Sequence, residues 1–125
     1  MPAASPRLAV IGAGAWGTTL ATLLSKREPV TLLARDAAHA ATLRADGENR
    51  HYLPGVPLGE RVEVSADPTA ITSADELVVV AVPSRALRST VAAVADHVAE
   101  GTVLLSVAKG IESETLLRMT QVLAE

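Results

Sequence analysis

The chain has 125 residues, 49% of them hydrophobic and 20% charged, and a formal net charge of −3. This length and balance predict one globular domain and exclude a two-domain enzyme. The acidic charge, with a single Trp and a single Tyr, argues against a nucleic-acid partner, which would require a basic surface or aromatic stacking platforms. The absence of Cys excludes disulfides, thiolate chemistry and Cys-based metal sites.

No targeting signal or membrane insertion is expected. The N-terminus lacks the basic-then-apolar layout of a signal peptide, and the longest apolar run, residues 77–82, is too short to cross a bilayer. No two of His39, His51 and His97 have metal-ligand spacing. We therefore expect a cytoplasmic protein without a metal site.

The first half of the chain alternates strand and helix patterns. The predicted elements are a buried strand over Leu8–Ile11, a helix over residues 18–26, a strand over residues 30–34 and a helix over Ala37–Asp46. Pro29 prevents extension of the first helix, whereas Asp36 is the expected N-cap of the second and Gly47 its end.

The second half continues the alternation after a predicted loop. A loop is predicted over residues 48–59, followed by a short strand over 62–64 and a brief helix that is opened by Asp67-Pro68 and reaches about 74. A strand over 77–82 comes next, and then a helix whose core-facing residues are Leu87, Val91, Val94 and Val98. The last predicted elements are a buried strand over 102–107 and a helical face of Leu116, Thr120 and Leu123. Because the sequence stops inside that last pattern, we expect a fragment of a longer protein.

These elements predict an α/β, Rossmann-type fold with a mostly parallel sheet and helices on both faces. The motif Gly12-x-Gly14-x-x-Gly17 lies directly between a strand and a helix, which is the context of a dinucleotide-binding turn. The first glycine permits the tight turn, the second allows approach of a pyrophosphate, and the third allows close packing of helix on strand. The alternative is a glycine-rich turn without a ligand.

The end of the second strand bears on the choice of cofactor. An acidic residue there binds the ribose 2′-hydroxyl of NAD, whereas an arginine suits the 2′-phosphate of NADP. Here Arg35 precedes Asp36, which predicts that NADP is accepted and leaves the preference between NADP and NAD open. In the alternative, Arg35 is a solvated surface residue and Asp36 only a helix cap.

Four blocks of the sequence resemble, in order, the N-terminal cofactor domain of bacterial NAD(P)-dependent sn-glycerol-3-phosphate dehydrogenases. They are Gly12-Ala13-Gly14-Ala15-Trp16-Gly17-Thr18, Asn49-x-x-Tyr52-Leu53-Pro54-Gly55, Ala81-Val82-Pro83-Ser84 with Ala86-Leu87-Arg88, and Lys109-Gly110-Ile111-Glu112. By this resemblance residues 1–125 form an NAD(P)-binding domain, and the helical C-terminal domain of the family is absent.

The resemblance also implies a set of site residues. The implied cofactor-binding residues are Gly12, Gly14, Ala15, Trp16, Gly17, Arg35, Tyr52, Pro83, Ser84 and Lys109. Ala15 and Trp16 would follow the diphosphate, and Lys109 would touch both cofactor and substrate. The alternative for Trp16 is a core position. Where the family often has Ser, this chain has Ala15, which leaves only a backbone N–H for the ligand.

The implied reaction is hydride transfer between NAD(P)H and dihydroxyacetone phosphate, which gives sn-glycerol 3-phosphate for glycerophospholipid synthesis. The family takes its proton donor from a lysine of the C-terminal domain, so no catalytic residue is expected in this chain. We expect a full-length dehydrogenase, compatible with a homodimer, and an inactive 125-residue chain that binds cofactor weakly or not at all. The alternatives are another NAD(P)-dependent hydroxyacid dehydrogenase or a non-catalytic NAD(P)-binding module.

Overall fold

The computed structural model describes residues 6–107 and 118–124. The strands are β1 (Leu8–Ile11), β2 (Val30–Leu33), β3 (Glu48–Asn49), β4 (Leu53–Pro57), β5 (Val62–Ser65), β6 (Leu77–Val80) and β7 (Val103–Ser106). The α-helices are α1 (Ala15–Leu24), α2 (Ala37–Asp46), α3 (Ser84–Val94) and α4 (Met119–Leu123), and 3-10 helices cover Pro68–Ile71 and Ala95–His97.

Five strands form a parallel sheet in the order β5-β2-β1-β6-β7. The chain builds the sheet outward from β1 in one direction, through β2 and β5, and then returns to build the other half through β6 and β7. The strand order therefore reverses between β1 and β6, and a crevice at the carboxyl ends of the strands is the usual ligand site at such a switch point. The predicted Rossmann-type fold is confirmed.

The sheet is covered on both faces because its strands alternate side chains between two apolar layers. The layer beneath α1 and α2 contains Leu8, Val10, Ala21, Val30, Leu32, Ala40 and Leu43. The layer beneath α3 and α4 contains Ala9, Ile11, Val78, Val80, Leu87, Val94, Met119 and Val122. Each fully buried Val, Leu or Ile contributes roughly 1.5–3 kcal/mol, so these two layers fix the positions of the strand ends that carry the site.

Most predicted elements are confirmed, but several limits were wrong. The brief helix expected to reach about 74 is a 3-10 helix that ends at Ile71, and β2 ends at Leu33. Helix α1 begins earlier than predicted, at Ala15, because Gly17 fits within a tightly packed first turn, and it ends earlier, at Leu24. Strand β6 ends at Val80, although the Ala81 amide still donates to the Ile11 carbonyl at 2.8 Å. The Asp36 and Asp67 caps are confirmed through bonds from the His39 and Thr69 amides.

The loop predicted over residues 48–59 is wrong, since β3 and β4 form an antiparallel hairpin there. Glu48 pairs with Pro57 and Asn49 with Leu53, and the Glu48 carboxylate accepts a bond from the Gly55 amide at 2.8 Å. Proline is tolerated in such a hairpin because an edge strand need not donate at every position.

Three predictions about the C-terminal third also differ from the structure. Strand β7 was expected to be buried, but Val103 and Leu105 are 60% and 48% exposed, because α1 packs on β1 and β2 and α2 on β5, away from β7. Helix α3 ends at Val94 and is followed by a 3-10 helix. Val98 therefore packs against the core from a position after the helices, not from α3 as predicted.

The final helical face was wrong in part, since Leu123 packs against the core as predicted but Thr120 does not. Thr120 is exposed, and the buried residues of α4 are Met119 and Val122. The predicted Leu116 lies outside the described residues. Within the ranges that the structure describes, no helix is long and apolar enough to cross a membrane.

Candidate functional site

The three glycines after β1 have three different surroundings. Gly12 has a φ of +107°, and a Cβ there would lie 2.5 Å from the Ala81 carbonyl oxygen. A Cβ on Gly17 would overlap the carbonyl oxygen of Gly12, whereas one on Gly14 would meet nothing within 4 Å. The protein's own packing thus requires glycine at positions 12 and 17. The space beside the Cα of Gly14 is open, so a ligand could approach the backbone closely there.

Helix α1 starts directly from this loop. Its N-cap is Gly14, which has an extended backbone and no side chain to bond the first amides of the helix. Those amides have no acceptor within the helix and carry part of the positive end of the helix dipole. Together with the open space at Gly14, they provide donors for an anionic group such as a diphosphate.

Two adjoining cavities of about 280 and 330 Å³ lie at the carboxyl ends of the strands. Both are lined by Gly12, Arg35, Val82 and Thr90, so they form one crevice over the switch point. The smaller one extends between β2 and α3, and the larger one extends over Gly14 toward the hairpin. The crevice therefore connects the glycine loop with the end of β2, where a dinucleotide would place its adenosine half.

The charged side chains that line the crevice are arginines, with one imidazole beside them. Arg35 lines both cavities, and Arg85 and His39 line the larger one. Among the described residues no carboxylate lines either cavity, although the whole chain has a net charge of −3. The crevice thus has a positive lining on an acidic protein, which favours an anionic ligand.

Arg35 and Asp36 have different roles. The Arg35 side chain is 71% exposed and its Nε lies 3.4 Å from the Asp36 carboxylate. The other Asp36 oxygen caps α2 by accepting a 2.7 Å bond from the His39 amide. That bond, and more weakly the charge of Arg35, hold the pKa of Asp36 below its usual value. Asp36 is thus a helix cap, and Arg35 is the charged group that faces the crevice.

Tyr52 lies at the hairpin end of the larger cavity. Its ring is in edge-on contact with His39 and His51, with centroid distances of 6.0 and 4.4 Å, and the residue is 39% exposed. The hairpin therefore presents an aromatic side chain to the crevice, as the resemblance implies. His39, which sequence reasoning treated only as a helix residue, lines the same cavity and bonds the Ala13 carbonyl oxygen at 3.1 Å.

Asn49 is a further residue that sequence reasoning did not assign to the site. Its side chain is almost fully buried and bonds both the glycine loop, at the Ala13 carbonyl oxygen, and the Thr18 hydroxyl of α1. Its position at the start of the Asn49-x-x-Tyr52 block could have indicated a role in the site. Because residues 48–59 were predicted to be a loop, however, Asn49 was not expected to be buried.

The remaining predicted residues are less closely grouped. Pro83 lines the larger cavity as the N-cap of α3, and Ser84 begins that helix without being part of the lining. Ala15 is exposed at the start of α1. Trp16 is 57% exposed and so does not occupy a core position, yet it lines neither cavity. Lys109 lies outside the described residues.

The fold and the crevice define a Rossmann domain of the dinucleotide-binding type. A profile of the family described as "NAD-dependent glycerol-3-phosphate dehydrogenase N-terminus" matches residues 7–125. The chain belongs to this family.

Curated relatives carry the same name. The chain is 44% identical over 119 residues to a glycerol-3-phosphate dehydrogenase (NAD(P)+) of Corynebacterium glutamicum and 48% identical over 119 residues to one of a Bradyrhizobium species. Each match covers 94% of this chain and 36% of the relative, so the chain spans about a third of the relatives' length.

Solved structures agree with the family. The glycerol-3-phosphate dehydrogenase of Coxiella burnetii superposes with a TM-score of 0.85 at 27% identity, over 95% of this chain and 38% of that one. A ketopantoate reductase family structure from Ralstonia eutropha has a lower TM-score, 0.64, at 28% identity, over 82% of this chain and 34% of that one. The likeness to dehydrogenases of other substrates is therefore one of fold.

Proposed function

We propose that this chain is the NAD(P)-binding part of a glycerol-3-phosphate dehydrogenase and that the crevice over the switch point holds the cofactor. The observation that carries the proposal is the combination of open space at Gly14 with a crevice lining whose charged groups are Arg35 and Arg85. A dinucleotide supplies both matching features, a diphosphate that needs close backbone approach and an adenosine half that follows the end of β2.

The roles of the residues follow from their positions. Gly12 and Gly17 shape the loop, and Gly14 with the first amides of α1, those of Ala15 and Trp16, receives the diphosphate. Arg35 binds the adenosine ribose or its 2′-phosphate, since its guanidinium faces both cavities. Supporting roles are proposed for Tyr52 beside the cofactor, for Pro83-Ser84 beside its nicotinamide half and for Lys109 next to both cofactor and substrate.

The bound cofactor would supply the hydride that reduces the carbonyl of dihydroxyacetone phosphate to sn-glycerol 3-phosphate. The described residues of this chain would orient the cofactor through the loop amides, and the apolar wall formed by Ile11, Val82 and Val94 would pack against its adenosine half. The reacting oxygen also needs a proton donor. Our proposal assigns that donor to a helical domain of the whole enzyme, so the 125-residue chain is expected to have no turnover.

The location and assembly of the whole enzyme are part of the same proposal. We propose a cytoplasmic enzyme, with which the Cys-free sequence of this chain is compatible. For the whole enzyme a homodimer is proposed. Its proposed substrate and product are dihydroxyacetone phosphate and sn-glycerol 3-phosphate.

Titration of the ¹⁵N-labelled chain with NADPH, NADH and ADP tests the proposal at single residues and detects millimolar binding. We expect saturable shifts of the Gly12, Gly14 and Arg35 amide signals with all three ligands, because each contains a diphosphate. Adenosine serves as the control without phosphate and should cause smaller shifts of the loop signals. Shifts scattered over the surface without saturation, or a whole enzyme that binds neither NADPH nor NADH, would overturn the proposal.

A further inference from the structure

We propose that Asn49 is a positioning residue for the cofactor, through which the β3–β4 hairpin sets the direction of the glycine-loop amides and the place of Tyr52. The inference rests on the proposed cofactor site. It is carried by one buried side-chain amide whose donors and acceptor are all used between the hairpin, the loop and α1.

The contacts of Asn49 join three parts of the site. Its Nδ2 donates to the Ala13 carbonyl oxygen at 2.8 Å and to the Thr18 Oγ1 at 2.9 Å, and its Oδ1 accepts from the Tyr52 amide at 3.3 Å. Asn49 is 1% exposed and Thr18 0%. A primary amide has two N–H donors and one carbonyl oxygen, so both donors and the acceptor atom of this side chain have a partner away from water.

The bond to Ala13 has a direct consequence for the neighbouring amide. A trans peptide is planar, with its C=O and N–H on opposite sides, and the described chain contains no cis peptide bond. Asn49 and His39 hold the Ala13 oxygen toward the hairpin and α2. The N–H of Gly14, which belongs to the same peptide plane, must therefore point in the opposite direction. The hairpin thereby orients the first donor of the diphosphate cradle.

The same side chain also places Tyr52. Its bond to the Tyr52 amide closes the turn between β3 and β4, and the Tyr52 ring then meets His39 and His51 at the crevice. The loop and the aromatic side chain, although far apart in sequence, therefore depend on one residue. Loss of Asn49 should disturb both the diphosphate end and the Tyr52 end of the site.

The first test compares Asn49→Leu with wild type, since leucine has nearly the same shape but cannot form these bonds. The folded chain should bind NADPH about tenfold more weakly, which corresponds to roughly 1.4 kcal/mol, and the NADPH-induced shift of the Gly14 amide should fall. A purely structural role would instead lower the free energy of unfolding and leave the Kd of the folded molecules unchanged. A Kd within twofold of wild type overturns the inference.

A matched pair on α1 extends the test. Thr18→Val removes one acceptor of Asn49, whereas Thr22→Val removes a buried hydroxyl that has no hydrogen-bond partner among the described residues. We expect only Thr18→Val to weaken NADPH binding, by at least threefold relative to Thr22→Val. If Asn49→Leu does not fold, this pair decides, and equal affinities overturn the inference. Where the 125-residue chain binds too weakly for a Kd, the same variants are compared in the whole enzyme, and a whole enzyme that binds neither NADPH nor NADH would instead refute the proposed function.

Discussion

Gly17 faces the carbonyl oxygen of Gly12 so closely that a Cβ on Gly17 would overlap that oxygen. The first turn of α1 therefore packs directly on the backbone that follows β1. This contact within the protein supports the conformation of the glycine loop. The space above Gly14 is open. Two glycines of one motif are thus required by the packing of the fold, and the third leaves the open space that we propose for the ligand.

Substitution of these glycines should separate stability from binding. Gly17→Ala is expected to lower the free energy of unfolding by about 1–3 kcal/mol through overpacking. Gly14→Ala should lose less stability than Gly17→Ala, because its φ of −82° suits alanine and its Cβ would meet nothing, so only the N-cap preference for glycine is lost. It should nevertheless lose affinity for NADPH and ADP. If Gly14→Ala binds both ligands normally, the cradle is misplaced.

The choice of cofactor should depend on Arg35. Arg35→Ala is expected to reduce affinity for NADPH roughly tenfold more than affinity for NADH, since a charge-assisted bond to the 2′-phosphate is lost. Arg85→Ala is the matched control, because Arg85 lines only the larger cavity and should affect both cofactors alike. An unchanged NADPH-to-NADH ratio in Arg35→Ala would refute this role.

Asp36 should make the stability of α2 depend on pH. Its folded-state pKa lies below the unfolded value of about 3.8, so its contribution is present above that value and is lost as the pH falls through the folded pKa. Urea unfolding at pH 6 and pH 3 should show this loss in wild type. Asp36→Asn retains a capping acceptor without the charge, so its difference between the two pH values should be smaller. An equal difference contradicts the assignment.

In the whole enzyme, Lys109→Ala should lower turnover of dihydroxyacetone phosphate by orders of magnitude, because an oriented cation near a reacting carbonyl contributes several kcal/mol. The other lysine of the chain, Lys26, follows α1 and is exposed, so Lys26→Ala is the control. Steady-state kinetics of both variants would decide, and wild-type kinetics for Lys109→Ala would remove this residue from the site.

The fold was predictable because β1, β2 and β6 are short, mostly apolar runs and β5 alternates apolar and polar residues. Leu8–Ile11 and the helix from Asp36 to Gly47 are examples in which local chemistry and burial agree. The hairpin was missed because Pro54 and Pro57 are usual signs of a loop, and the bond between Glu48 and Gly55 that supports it is not visible in the pattern.

The site was predictable where backbone geometry determines the residue type. Gly12 and Gly17 meet the backbone, and glycine is required there in any such turn. Asn49 and His39 were not predictable in the same way, because both reach the Ala13 oxygen across long sequence separations. Such contacts depend on the register of the hairpin and on the packing of α2.

Trp16 is the only tryptophan of the chain, it lies in the glycine loop and it is 57% exposed. The intrinsic fluorescence excited at tryptophan wavelengths therefore comes from one indole on the first turn of α1. Its emission maximum reports the polarity around that turn without any attached dye. The protein thus carries its own optical probe at the place where the helix dipole begins.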